Sequence, residues 1–239
     1  MKTRIISSNR DLIVKIIENE TCCKARYDLS PSFNCHIGDY TITRDGFILS
    51  DVSNNIFPLL GSLGLCDHPF PKIRPLENDI YYSSQQHDGS SLSKLFYIIY
   101  SRQHLLNRSL NKAKAFFIDR KLINALHSHQ PETLSEFLQT LYFHKGEYKG
   151  LIIGDEYIIF NGFRNNESIP HEICSILADK LIEESLSKKW VKASLHNNRN
   201  KKYIMRSWLN SLGFTGTGYE ELRRYFVHDL PGVSDRKKV

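Results

Sequence analysis

The apolar positions near the N-terminus follow a helical period first and a strand-like period afterwards. Between residues 9 and 20, leucine and isoleucine recur at helical spacing, and Asn9 is a suitable N-cap for that helix. Alternating aromatic and β-branched residues come next, and Asp45-Gly46 is a turn dipeptide between two such runs. The predicted elements are a helix over 9–20, strands over 33–37, 40–43 and 47–49, and a helix over 56–65.

In the middle of the chain, helical and strand-like patterns are interspersed. After Gly89, leucine, isoleucine and phenylalanine keep a helical period over about five turns. Pro131-Glu132 suits the first turn of a later helix, and Ser168 is the expected cap of another, with Pro170 in its first turn. The predicted elements are a strand over 79–82, helices over 89–110, 122–127, 134–143 and 169–186, and a hairpin over 151–160.

The C-terminal pattern predicts two amphipathic helices around a glycine-rich loop. The loop runs from Gly213 to Gly218, and Gly213 suits a helix C-terminus that requires a positive φ. The second helix, over 219–230, could enter a nucleic-acid groove as in helix-turn-helix proteins. The alternative is an ordinary helical hairpin that closes the core, and the loop is longer than the helix-turn-helix motif prefers.

This order of elements predicts an α+β fold, because no repeated βαβ rhythm is present. We expect a small N-terminal αβββα unit, central helices on a short sheet, and a basic C-terminal helical hairpin. Three prolines within residues 67–75 suggest a linker. The predicted domains are residues 1–70, 78–187 and 188–239.

Composition is that of a globular protein, with 41% hydrophobic and 24% charged residues. The five cysteines form no CxxC pair, so we expect reduced and mostly buried thiols. The N-terminal residues lack the apolar stretch of a signal peptide, and no apolar run approaches the roughly 20 residues that cross a bilayer. The sequence therefore predicts a cytoplasmic protein without a membrane partner.

The net charge of +6 is concentrated in one segment. From residue 188 to residue 239, twelve lysines and arginines stand against four acidic residues, so the rest of the chain is slightly acidic. A polyanionic partner would explain this segment, because each cation that neutralises a phosphate releases condensed counterions. A solvated basic loop and an acidic protein partner are the alternatives. The predicted nucleic-acid contacts are Lys188, Lys189, Lys192, Asn198, Arg199, Lys201, Lys202, Arg206, Arg223 and Arg224.

Two blocks of the sequence carry a family resemblance. The stretch from Lys202 to Gly216, KYIMRSWLNSLGFTG, is followed by Arg223-Arg224 and Gly232; near the N-terminus stand Gly38-Asp39-Tyr40-Thr41-Ile42 and Arg44-Asp45-Gly46. Both blocks resemble those of the virulence-associated proteins found on mobile elements of gut Firmicutes. The resemblance implies a bacterial mobile-element or phage context and transfers no catalytic residue. Residues 112–148 look like an insertion relative to that family.

No pattern in the sequence predicts a catalytic, metal or cofactor site. After His171-Glu172, an HExxH motif would need histidine where Ser175 stands. Cys35 and His36 are neighbours on a predicted strand and therefore point to opposite faces. We expect no catalytic residues, no metal and no cofactor, although a site assembled from distant residues stays open.

The sequence therefore favours a non-enzymatic nucleic-acid-binding accessory protein of a mobile element or phage. The first alternative is an anti-defence protein that inhibits a host nuclease or CRISPR effector by binding that nucleoprotein complex. The second alternative is an enzyme of unknown class. Neither the choice of DNA or RNA nor any base preference follows from the sequence.

Overall fold

The computed structural model describes residues 2–51, 56–67, 75–195 and 200–232. The chain divides into two compact units, Met1–Ile73 and Arg74–Val239. Helices and small antiparallel sheets occur in both, which confirms the α+β class. The predicted modules at 78–187 and 188–239 belong to the same unit, since the last helix packs against the first helix of the second unit.

In the part of the first unit that the structure describes, a five-stranded antiparallel sheet in the order β1-β5-β4-β3-β2 is accompanied by two helices. Its helices contact each other, and the first of them also packs against β3. The elements are β1 (Lys2–Arg4), α1 (Arg10–Thr21), β2 (Arg26–Tyr27), β3 (Cys35–Ile37), β4 (Tyr40–Ile42), β5 (Phe47–Ser50) and α2 (Ile56–Ser62).

Local sequence explains most of this unit. The Asn9 side chain accepts a hydrogen bond from the Leu12 amide at 3.1 Å, as predicted for an N-cap. Ile13, Ile16 and Ile17 are fully buried along one side of α1. The strands bury alternate residues, so that Cys35 is buried while His36 lies on the opposite face, as expected.

Among its described residues, the second unit has six α-helices, a three-stranded antiparallel sheet in the order β6-β10-β9, and a two-stranded ribbon, β7-β8. The elements are β6 (Tyr81–Ser83), α3 (Gly89–Ser109), β7 (Phe117–Ile118), α4 (Arg120–His129), α5 (Leu134–Phe143), β8 (Tyr148–Lys149), β9 (Ile152–Ile153), β10 (Tyr157–Ile159), α6 (His171–Ser187), α7 (Lys201–Ser211) and α8 (Glu220–Val227).

Helix α3 forms the core of this unit. It begins with a capping box in which Asp88 and Ser91 exchange side-chain to backbone hydrogen bonds. Fourteen of its residues are buried, and it packs against α4, α5, α6, α8 and β7. A helix that is apolar on nearly all sides is expected to lie in the interior, and α3 does.

Residues 112–148, predicted to be an insertion, contain β7, α4, α5 and the start of β8. Two amide side chains of α3 hold the first of these elements. Gln103 bonds to both the amide and the carbonyl of Ile118, at 2.7 and 3.1 Å, and Asn107 bonds to both groups of Phe116, at 2.7 Å each. Each amide thereby satisfies the backbone groups of a residue that is buried from water.

Residues 115–116 pack so closely against Gly150, between β8 and β9, and Gly162, after β10, that no side chain fits at either glycine. A Cβ atom at Gly150 would lie 2.5 Å from the carbonyl oxygen of Ala115, and one at Gly162 would lie 2.6 Å from the same oxygen. Gly150 also has a φ of +97°. Backbone therefore packs directly on backbone at this junction.

Two predicted helix starts are wrong. Pro131-Glu132 does not open α5; Thr133 caps it, in a capping box with Glu136. Ser168 does not cap α6, whose N-cap is Pro170 with no side-chain hydrogen bond. Within the residues that the structure describes, we find no helix with the length and apolar character needed to cross a membrane.

Candidate nucleic-acid interface

The segment after α6 presents the first three predicted contact residues. Lys188 forms an ion pair with Glu184, and its carbonyl oxygen accepts a hydrogen bond from Lys94 Nζ at 2.9 Å. Lys189 and Lys192 are exposed in residues 188–195, which form neither helix nor strand. The charge of Lys188 is thus partly compensated.

Helix α7 carries the next group of cations on one side and core residues on the other. Asn200 caps the helix by accepting a hydrogen bond from the Tyr203 amide at 3.2 Å. Lys202 and Arg206 are four residues apart, so they lie on the same face of the helix. Met205, Trp208 and Leu209 are buried. The remaining predicted residues before this helix, Asn198 and Arg199, lie outside the described residues.

Trp208 fixes α7 against the core helix. The guanidinium carbon of Arg102, in α3, lies 5.8 Å from the centre of the Trp208 ring. Burial lowers the pKa of the Arg102 guanidinium. Trp208 and Phe226 are buried, whereas Trp190 is 76% exposed.

Arg223 of α8 holds the glycine-rich loop. It donates to the carbonyl oxygens of Phe214 and Gly216, at 2.8 Å each. Gly213 has a φ of +91°, as expected for the residue after a helix C-terminus. Because both acceptors of Arg223 are neutral carbonyls, the loop is ordered while the positive charge is retained.

Arg224 lies near an acidic first turn. Its guanidinium is 3.3 Å from Glu221, and both side chains are about two-thirds exposed, at 66% and 62%. Exposed pairs of this kind contribute little to stability and are readily exchanged for other partners. Arg224 can therefore pair with an incoming anion at small cost.

Helices α7 and α8 enclose a groove of about 690 Å³, which we call the hairpin groove. Four predicted contact residues line it: Lys202, Arg206, Arg223 and Arg224. Glu220, Glu221 and His228 also line the groove, and no sequence pattern predicts their place there. Four cations against two carboxylates leave the groove positively charged.

The other predicted contacts are distributed differently. None of Lys188, Lys189 and Lys192 lines the hairpin groove, and Lys201 lines a separate concavity beside α3. The structure therefore brings together four of the eight predicted residues that it describes.

The first unit contains a polar array that the sequence analysis did not identify. His36 lies 3.0 Å from the hydroxyl of Thr41 and 3.1 Å from the carboxylate of Asp28, which also accepts a hydrogen bond from Ser32. Hydrogen bonds from His36 and Ser32 lower the pKa of Asp28. We assign the array to holding the residues after β2 against β3 and β4.

Among the side chains that the structure describes, no group of three or more His, Cys, Asp or Glu residues could hold a metal ion. Three of the five cysteines, Cys35, Cys66 and Cys174, are buried.

No protein-family model, curated protein or solved structure matches this chain.

Proposed function

We propose that the second unit binds nucleic acid through the hairpin groove, as a non-enzymatic accessory protein of a mobile element or phage. The observation that carries this proposal is the convergence of Lys202, Arg206, Arg223 and Arg224 on one groove. Side chains that are distant in sequence on α7 and α8 present their charge together, as phosphate binding requires. The mobile-element context rests on the sequence resemblance alone.

Contact with the phosphate backbone fits the groove better than reading of bases does. A recognition helix reads base edges with its N-terminal residues. The first turn of α8 holds Glu220 and Glu221, which phosphates would repel, whereas Lys202 and Arg206 of α7 attract them. We therefore expect affinity without strong dependence on base sequence.

The test is the salt dependence of binding to labelled random-sequence DNA and RNA, measured by fluorescence anisotropy. We expect K202Q/R206Q to weaken binding roughly thirtyfold at physiological salt, because two phosphate contacts with a salt exponent of about 0.9 each are lost. The slope of log K against log salt should fall by about 1.8.

K121Q/K145Q is the matched control, since it removes two positive charges from exposed residues of the same unit outside the groove. Circular dichroism checks that all variants stay folded. If the wild-type protein fails to bind either nucleic acid at low salt, the proposal is wrong. Equal loss in the two double variants would show that only the net charge matters.

A further inference from the structure

A second basic concavity lies beside the C-terminal end of α3. It has a volume of about 770 Å³ and includes the cations Arg108, Lys112 and Lys201. Asp229 is the only acidic residue among the described residues that line it. Arg108 is exposed to solvent. The concavity is therefore basic. Among its cations, only Lys201 was predicted to contact nucleic acid.

A third concavity, of about 450 Å³, continues from it along the β7–β8 ribbon. Lys112, Lys114, Lys149 and Arg164 line it, and none of its described lining residues is acidic. Arg164 is already paired with the buried carboxylate of Asp79. Lys114 and Lys149 are exposed, so their ammonium groups are available to a ligand.

The second and third concavities share a lining residue, and the second is linked to the hairpin groove through chain neighbours. Lys112 lines both the second and the third. Lys201 and Asp229 of the second are chain neighbours of Lys202 and His228 in the hairpin groove. We call the three concavities together the basic track. Its cations other than Arg164 are Lys112, Lys114, Lys149, Arg108, Lys201, Lys202, Arg206, Arg223 and Arg224.

The side chains of the track suit a duplex better than a single strand. Proteins that bind single strands combine basic grooves with aromatic rings on which bases stack. Tyr148 is the only Phe, Tyr or Trp among the described lining residues, and its ring packs on Phe96 with centroids 5.6 Å apart. Lysine and arginine without stacking rings match a rigid line of phosphates.

We propose that the basic track binds the phosphate backbone of a nucleic-acid duplex, with Lys114 and Lys149 extending the site beyond the C-terminal segment. This inference rests on the proposed function, because it lengthens the same interface. The ribbon β7-β8 thereby acquires a binding role in addition to its packing role.

The test compares K114Q/K149Q with K202Q/R206Q and the control K121Q/K145Q on a labelled DNA duplex, an RNA duplex and a single strand. K114Q/K149Q should weaken duplex binding roughly thirtyfold at physiological salt and lower the salt slope by about 1.8. Both side chains are exposed, so folding is expected to be retained, and circular dichroism checks this.

The outcomes distinguish failure of the longer track from failure of the proposed function. If K202Q/R206Q weakens binding while K114Q/K149Q matches the control, the hairpin groove is the interface and the longer track is overturned. If a single strand binds more tightly than either duplex, the duplex assignment is overturned although the proposed function stands. If no nucleic acid binds the wild-type protein at low salt, both proposals fail.

Discussion

At the scale of single residues, the most consequential charge of the second unit is the carboxylate of Asp79, whose partner Arg164 lines the third concavity of the basic track. The Asp79 side chain is fully buried and accepts hydrogen bonds from Arg164, one of them at 2.6 Å from Nη2. It also accepts one from the Leu76 amide at 2.8 Å. Arg164 is the main cause of the lowered pKa of Asp79. The ion pair of Asp79 and Arg164 connects the residues before β6 with the turn after β10.

Replacing Asp79 by asparagine should destabilise the protein by about 2 kcal/mol at neutral pH, because a charge-assisted pair is lost. The folded-state pKa of Asp79 lies below its unfolded value, so its contribution is present above that unfolded value, about 3.9, and is lost as pH falls through the folded pKa. Urea unfolding at neutral and acidic pH measures both effects.

D79N should therefore unfold with a smaller loss of stability on acidification than the wild-type protein. An equal pH dependence in the two proteins would show that Asp79 and Arg164 do not form the pair in solution. Asp155→Asn supplies the control, since Asp155 is an aspartate of the same unit that takes no part in the pair with Arg164.

At the scale of elements, the sequence predicts those helices and strands in which the period of the apolar residues matches the buried face. Helix α1 and its Asn9 cap were predicted because both signals are local. The predicted start of α6 at Ile169 is too early. A residue before proline disfavours the helical conformation, so the helix begins only after Pro170. For α5, the capping box of Thr133 and Glu136 sets the start of the helix, and Pro131 stays outside it.

The short strands β1, β2, β7 and β8 could not be predicted in this way. Each has two or three residues, and partners distant in sequence define it.

The same limit applies to the candidate site. Lys202 and Arg206 share a helix face by local spacing, whereas Lys114 and Lys149 line one concavity only because β7 pairs with β8.

The attachment of β7 to α3 gives a prediction at this scale. Asn107→Ala should cost about 2 kcal/mol, because both backbone groups of the buried Phe116 lose their partner. Chemical denaturation measures the loss. Asn210→Ala, at an exposed position of α7, should change stability by less than about 0.5 kcal/mol. Similar values for the two variants would contradict the structural role of Asn107.

At the scale of the whole molecule, the two units have separate cores. The first buries Ile13, Ile37, Tyr40 and Phe57 among its own elements. The second includes α8, whose Phe226 is fully buried and whose carbonyl accepts a hydrogen bond from Ser109 of α3. The C-terminal helices are therefore part of the structural core that supports the hairpin groove.

We expect residues 1–73 to fold as an isolated fragment, because each compact unit holds its own apolar core. Residues 74–195 should not fold stably, because removal of α7 and α8 exposes the surface of α3 that Phe226 covers. Circular dichroism and cooperative thermal unfolding test both fragments. A cooperatively folded 74–195 fragment would show that the C-terminal helices are an appendage.

The close packing at Gly150 and Gly162 has a consequence for recognising related chains. Surface lysines can be exchanged or moved along a track without altering the fold, but the carbonyl of Ala115 occupies the space that any other residue at these two positions would need. A distant homologue that retains the ribbon should therefore keep both glycines even after its charges have diverged. The two glycines are a more durable signature of this architecture than the basic residues that first draw attention to it.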